Sequence, residues 1–421
     1  MMSSQRQPSP YHQHLLLPLQ TQSHPLLLPR VSLNTTQTTT PVNATMPDNR
    51  AAYITAKSVL EVKSAPYTPP GPDELVVKNG AVAVNPFDWI KQVVGGLMFT
   101  YMKYPFILGS DIAGEVVQVG AGGEAAKLFR VGDRVVGHAF GMDHRSAKTP
   151  EGAFQHYSVL RYNLTAKIPD TLSYASACVL PLGLSTAATG LFMKKNLGLA
   201  LPTPGPTQPK NQTFIVWGGS TSVGSNAIQL ARAAGYEVIA TASPKNFEYL
   251  KRLGATQVYD YHSATAVTDI IAALKGKICA GAIAIGAGSL EACVDIVGAS
   301  EAPPGQRKFV CQTSFFLPPS QMPGSLLGFT WLGMRMLRWN AAMFVKGKRG
   351  GVEFKFAWGG DLVDGEVAAA VYNRFLPAAL ASGEFVAAPE PVVVGHGLEH
   401  LQEAFDLNRK GMSAGKAVVT L

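Results

Sequence analysis

Thr213-Phe214-Ile215-Val216-Trp217 runs directly into Gly218-Gly219-Ser220-Thr221-Ser222-Val223-Gly224, and beyond Ser222 the apolar positions recur at helical spacing as far as Ala234. A β-branched apolar run, a glycine-rich turn and an amphipathic helix, in that order, open a βαβ unit. The first turn of such a helix offers unpaired amides and the positive end of its dipole, which suits a pyrophosphate. The motif is G-x-T-x-x-G, with Thr221 where the dinucleotide fingerprint has its second glycine. A tight βα turn with no ligand would show the same letters, so the surrounding text has to decide.

That text repeats the alternation. Strands are expected over 237–241 and 257–259, helices over 247–253 and 266–274, and apolar runs follow at 281–285 and 309–312. Repeated β then α units predict an α/β fold with a doubly wound parallel sheet of Rossmann type. An NAD site usually carries an acid at the end of its second strand, about 20 residues on, to bind the ribose 2′-hydroxyl. Here the letters are Ala242-Ser243-Pro244-Lys245. A hydroxyl and an ammonium welcome a 2′-phosphate and an acid repels it, so NADP(H) is the expected cofactor; a solvated surface lysine is the alternative for Lys245.

Upstream the texture differs. Short β-rich runs at 74–78, 81–84, 114–119, 134–136 and 154–159, broken by Gly, Pro and Asp, suggest a barrel-like all-β unit. A helical stretch over 175–195 and a Pro-rich break at 201–210 separate it from the alternating part. A helix over 367–381 then leads back to β text at 391–394 and 416–421, so the C-terminal segment is expected to rejoin the barrel. The division is 1–46 as a disordered extension, 47–178 with 377–421 as the barrel, and 179–376 as the nucleotide-binding part. Residues 1–46 contain no acid, and only Arg6 and Arg30 are charged; a mitochondrial transit peptide is the alternative to simple disorder, against which its prolines weigh.

With 421 residues, 47% of them hydrophobic, the chain can build a large core, and wholesale disorder is excluded. Thirty-six Lys and Arg against 28 Asp and Glu give +8, scattered without basic, aromatic-interleaved runs, so no nucleic-acid partner is expected. The four cysteines lie far apart without a C-x-x-C pair, which fits buried thiols in a reducing, cytoplasmic setting. The most apolar long stretch, 325–345, carries Arg335 and Arg338 at its centre, so neither a spanning helix nor a membrane partner is expected.

Beyond these readings, a set of motifs is similar to one family. They are Val84-Asn85-Pro86-Phe87-Asp88-Trp89, Gly109-Ser110-Asp111-Ile112-Ala113-Gly114, Val131-Gly132-Asp133-Arg134-Val135, Gly152-Ala153-Phe154-Gln155, Leu180-Pro181 with Ser185-Thr186-Ala187-Ala188, and Leu253-Gly254-Ala255. Together they resemble the medium-chain dehydrogenases and reductases, in particular the zinc-free enoyl reductase and quinone oxidoreductase branch. The glycine loop with 242–247 and Asp260-Tyr261 looks most like trans-acting polyketide enoyl reductases and CipB-like oxidoreductases of secondary metabolism. The resemblance implies a GroES-like catalytic barrel beside the Rossmann sheet. It implies Thr186 at the nicotinamide end, Gly219, Ser220, Thr221, Ser222, Val223 and Gly224 around the pyrophosphate, and Ser243, Lys245 and Tyr261 around the 2′-phosphate. Thr221 either shifts the cofactor or donates to it.

Relatives with catalytic zinc use Cys, His and Cys; at the matching places this chain has Asn85, Ser110 and approximately Leu182, so no metal is expected. His138 and His144 are read as surface residues or as lying behind the site. Without a Lewis acid, hydride transfer from NADPH to an activated C=C of an enoyl, enone or quinone is the natural reaction. Asn85 is the candidate to polarise the carbonyl or anchor the nicotinamide ribose. Lys91 is the candidate to stabilise the enolate or donate a proton, with a surface salt bridge as its alternative. Asp88 is read as a structural carboxylate that caps a turn and pairs with a basic residue, and Tyr101 and Tyr104 as packing aromatics. The expected substrate is a small molecule or an acyl thioester, free or carried on a carrier protein, and the expected assembly a monomer or homodimer. An alcohol or aldehyde dehydrogenase of the same superfamily, and a catalytically silent NADPH-binding protein, are the competing readings.

Overall fold

The computed structural model describes residues 47–421 except 57–58, 97–98, 315–322 and 324, so the expected disorder of 1–46 lies outside the described residues. The first part is β-rich: β1 (Asn49–Ile54), β2 (Leu60–Ala65), β3 (Glu74–Ala83), β4 (Phe106–Ile107), β5 (Asp111–Val119), β6 (Arg134–His138), β7 (Tyr157–Arg161) and β8 (Thr165–Lys167). The two expected runs at 74–78 and 81–84 are one strand. Gly80 does not end it; a Cβ there would lie 2.4 Å from the Tyr174 ring, so the glycine admits that ring. Buried Asn79 donates to Gln155 O (2.7 Å) and Ser158 Oγ (2.9 Å), pinning β3 where its register with β5 shifts.

The alternating part supplies β9 (Gln212–Trp217), β10 (Glu237–Ala242), β11 (Gln257–Asp260), β12 (Ile278–Ala284), β13 (Lys308–Gln312) and β14 (Val352–Phe356). Every pairing is parallel, in the order β11-β10-β9-β12-β13-β14, the doubly wound arrangement with its switch point between β9 and β12. Finally β15 (Glu390–His396) and β16 (Gly415–Thr420) return, and β16 pairs antiparallel with β3. The barrel sheet therefore runs β15-β16-β3-β5-β6-β8, with β7 also on β3, beside a smaller sheet β2-β1-β4.

The helical stretch expected over 175–195 is two pieces, Tyr174–Ala177 and Pro181–Phe192, because Pro181 lacks an N–H and starts a new helix. The expected tail helix runs from Glu366 to Ser382 with a π-helical turn at Ala370–Phe375. Pro377 cannot donate to the preceding turn, and the wider turn accommodates the missing bond. The expectation missed β14 and the Leu326–Gly350 helix, where Arg and Lys interrupt the apolar pattern. Among the described residues, only the stretch Tyr174–Phe192 is long and apolar enough to cross a membrane, and 83% of its apolar window is buried in the protein itself.

One continuous core joins the two sheets: Ala81, Ala83 and Val418 of the barrel pack in the same cluster as Leu184 and Leu191 of the Pro181–Phe192 helix and Phe214 of β9. Through the same seam runs an ion pair. Lys416 of β16 donates to Asp111 Oδ2 of β5, with the two side chains 3% and 0% exposed, and also to Val179 O at 3.0 Å. Removing one member of a buried pair strands the other's charge. Lys416→Met should therefore lower unfolding free energy by about 3–5 kcal/mol in chemical denaturation; a loss below about 1 kcal/mol would show that the pair is dispensable.

Candidate active site

A cavity of about 410 Å³ opens where the C-terminal ends of β9, β12 and β13 face the barrel, bordered on the barrel side by Asn85, Ser110 and His138. The ligand crevice of a doubly wound sheet is expected at that place. On the sheet side it is bordered by Thr221, Ser222 and Val223 of the glycine loop and by Thr186. Thr221 caps the Ser222–Ala233 helix: its Oγ1 accepts from Gly224 N–H (3.0 Å) and donates to Gly218 O (2.8 Å). That hydroxyl belongs to the loop, so the expectation that Thr221 donates to the cofactor is corrected. The amides of Ser222 and Val223, the first two of the helix, are left for an anion. A Cβ on Gly224 would lie 2.3 Å from Gly218 O and one on Gly219 2.5 Å from Leu250, so both glycines let strand and helix close up. These features fit a dinucleotide.

Gly219, Ser220 and Gly224 lie in this loop but do not border the cavity. Ser243, Lys245 and Tyr261 gather at the ends of β10 and β11, outside it. Ser243 Oγ donates to Tyr261 Oη at 3.4 Å, and Lys245, exposed on a single turn, makes no ion pair among the described residues. A hydroxyl pair beside a free ammonium is a fitting receptor for a 2′-phosphate. Thr186 donates its hydroxyl to Leu182 O (2.7 Å), leaving only its oxygen lone pairs to face a ligand.

The barrel side is organised by two buried carboxylates. Asp88 Oδ2 accepts from the Asn85 backbone N–H (2.7 Å) and Oδ1 from Ser110 Oγ (3.1 Å), while Asp111 Oδ1 accepts from Leu182 N–H (2.6 Å). Asn85 Nδ2 donates to Asp111 Oδ2 (2.9 Å) and more weakly to Asp88 Oδ2 (3.3 Å). Both amide protons of Asn85 are thus engaged, so only its carbonyl oxygen, itself part of the capping box with Asp88, keeps lone-pair capacity for a ligand. Asn85 cannot polarise a substrate carbonyl; of its two expected roles, accepting from a ribose hydroxyl is the one its geometry allows. Asp88 caps its turn as expected, but the cation goes to Asp111 instead. Burial first, then the neighbouring Asp111 charge, push the Asp88 carboxyl up to about 7.

Lys91 is corrected outright. It is neither a surface ion pair nor a cavity residue: it is 1% exposed, its Nζ donates to Phe99 O (3.0 Å) and sits 4.9 Å from the centre of the Tyr104 ring, and burial lowers its pKa. Tyr101 donates to Met142 O (3.2 Å) and, with Tyr104, packs against the barrel core as expected. His138 is corrected too. It ends β6, is 4% exposed and borders the cavity, whereas His144 is exposed beside Asp143. Met142 and Asp143, just beyond β6, also border the cavity.

At the position that relatives use for zinc, an amide, a hydroxyl and an alkyl side chain offer no thiolate or imidazole. Both nearby carboxylates are already taken up by donors, and no cluster of three metal-ligating side chains occurs among the described residues. This donor set does not fit zinc.

Residues 71–170 match the alcohol dehydrogenase GroES-like domain and 222–302 the zinc-binding dehydrogenase domain. The dehydrogenase pigH of Monascus ruber is 50% identical over 378 residues, spanning 89% of this chain and 100% of that one. The chain belongs to the medium-chain dehydrogenase/reductase superfamily. It is an oxidoreductase of that superfamily, with a GroES-like barrel and a Rossmann sheet. Other relatives include the trans-enoyl reductase himH of Aspergillus japonicus, 37% identical over 83% of this chain and 90% of its own. The CurK enoyl reductase shares the fold, with a TM-score of 0.63 at 19% identity over 89% of this chain and 99% of that one.

Ser185, Tyr372 and Lys416 shape the site without a signal in the local sequence. Ser185 lay in a quoted motif, but its partners His138 and Tyr372 are 47 and 187 residues away, and Lys416 is 305 from Asp111. No local pattern signals such pairings.

Asp88 gives a signed pH effect. Its folded pKa lies above the unfolded value of about 4, so the folded state is penalised increasingly as pH rises from about 4 through about 7. Between pH 5 and pH 8 the wild-type melting temperature should fall relative to that of Asp88→Asn. Parallel curves would mean that Asp88 ionises as freely folded as unfolded.

Proposed function

We propose that this oxidoreductase reduces an activated C=C bond of an enone, enoyl thioester or quinone with NADPH and without a metal. Bound NADPH would supply a hydride to the β-carbon, and the α-carbon takes a proton drawn ultimately from solvent. The observation that carries the reading is the replacement of the zinc position by a hydrogen-bonded set: Asn85 held by Asp88 and Asp111, and Ser110 held by Asp88. Such a set cannot act as a Lewis acid on an alcohol or aldehyde, but it can bind, orient and donate.

The residues divide the work. Ser222 and Val223 amides hold the pyrophosphate, Ser243, Lys245 and Tyr261 the 2′-phosphate, and Asn85 Oδ1 a ribose hydroxyl. Ser110 takes the donor role once assigned to Lys91. While Asp88 is ionised, Ser110 donates to it; once Asp88 is protonated, its own O–H can donate to Ser110 Oγ and the serine proton is free to turn toward a developing enolate oxygen. Phe87 and Trp358, edge to face at 4.9 Å, form an apolar wall that keeps water from the reacting carbons. We take 47–178 with 377–421 as the catalytic part and 179–376 as the cofactor part. The likeness to himH, a trans-enoyl reductase, supports an enoyl group among the substrates, and the four buried, free cysteines suit a reducing cytoplasm.

The test is NADPH oxidation by chelator-treated protein over a panel of enones, enoyl thioesters, quinones and aldehydes. Turnover of the conjugated substrates alone is expected; aldehyde turnover restored by zinc would overturn the reading. Lys245→Ala should raise the NADPH KM about 10- to 100-fold, as loss of one charge-assisted contact predicts, with little effect on NADH. An unchanged cofactor ratio would remove Lys245 from the site.

A further inference from the structure

The Tyr372 hydroxyl fixes the direction of a buried hydrogen-bond chain that ends at the cavity. Tyr372, on the π-helical turn, is 0% exposed and donates to Pro181 O at 2.9 Å. A carbonyl only accepts, so the single proton of Tyr372 is committed and its oxygen can only accept. Ser185 Oγ, 2.8 Å away, must therefore donate to Tyr372. With the serine proton placed, the 3.0 Å contact between Ser185 Oγ and His138 Nδ1 has one solution: Nδ1 carries the hydrogen and donates. Burial pushes the His138 pKa down to about 4, so the ring is neutral at physiological pH and holds one proton. Nε2 is then a bare lone pair, and no donor among the described residues meets it.

The cavity around His138 has apolar walls, including Phe140, whose ring lies 6.1 Å away, Met142 and Leu182. On a residue that borders the cavity, Nε2 is not sealed away from that space, so its lone pair is open to a donor on a ligand. We propose that His138 is a substrate-recognition residue whose Nε2 accepts a hydrogen bond from an O–H or N–H group of the substrate. The preferred substrates are accordingly activated alkenes that also carry a donor. This rests on the reductase reading above and narrows its substrate class. A carboxamide N–H of the cofactor offers the same chemistry from another source.

Two measurements test it. Histidine ¹⁵N NMR should show His138 as the Nδ1–H tautomer, with Nε2 unmoved by NADP⁺ alone and shifted when a saturated hydroxyketone is added to the NADP⁺ complex. An Nε2–H tautomer, or a full shift on NADP⁺ alone, overturns the proposal. In kinetics, a hydroxylated enone should exceed its O-methyl counterpart in kcat/KM by about tenfold or more, since a site built for a donor rejects the analogue lacking it. His138→Phe should collapse that ratio toward one. Tyr372→Phe leaves Ser185 free to donate to Nδ1, lets the ring present Nε2–H, and should also abolish the preference. Equal rates for the pair with an active wild-type enzyme sink the inference but leave the reductase standing. Absence of NADPH oxidation on both members sinks the reductase reading, and the NMR measurement still decides what His138 accepts.

Discussion

The contact on which the site depends is the buried pairing of Asp111 with Lys416. Asp111 begins its strand at the seam between the barrel and the parallel sheet, and its two oxygens gather three donors: Lys416 from the returning C-terminal strand, the Leu182 amide in the first turn of a helix, and the Asn85 side chain. A carboxylate so buried is tolerable only with a full set of partners. The need to satisfy it draws β5, β16 and the Pro181–Phe192 helix to one point. Asn85, Ser110 and Leu182, which face the cavity from that point, inherit their positions from it.

The same two carboxylates shape the place where zinc-dependent members of the superfamily bind their metal. The carboxylates orient an amide and a hydroxyl where thiolates and an imidazole would bind the ion. Both amide protons of Asn85 are held by the carboxylates, and the Ser110 hydroxyl donates to Asp88. Farther along the wall, the Tyr372, Ser185 and His138 chain sets another acceptor by the same logic of one proton per hydroxyl. In both places the polarity offered to the cavity is decided one residue behind the surface.

The sequence was informative where physics is local. The strand, glycine turn and helix at 213–234 are read from periodicity and turn chemistry, and the missing acid at Ser243 from charge alone; the doubly wound parallel sheet follows from the alternation. Boundaries failed where a single residue overrode the pattern: Pro181 cut a helix in two, Pro377 widened another, and Gly80 proved an opening for Tyr174 within a continuous strand. Site residues failed where partners are distant. Lys91 has the right letter at a suggestive spacing, but its direction on the Pro86–Val94 helix sends the ammonium to Phe99 O, and nothing nearby in the chain announces this. The surface reading of His138 fails because the strand that carries it continues past the expected end at 136 and buries the ring.

Where the hydride goes distinguishes reduction of the C=C bond from reduction of the carbonyl. Metal-depleted protein would be given NADPH deuterated on the transferred position of C4 and an α,β-unsaturated ketone, and the product read by ²H and ¹³C NMR. Deuterium is expected on the β-carbon of a saturated ketone, with the transfer unchanged when zinc is excluded throughout. Deuterium on the carbinol carbon of an allylic alcohol, or transfer that appears only when zinc is restored, would contradict metal-free reduction of the C=C bond.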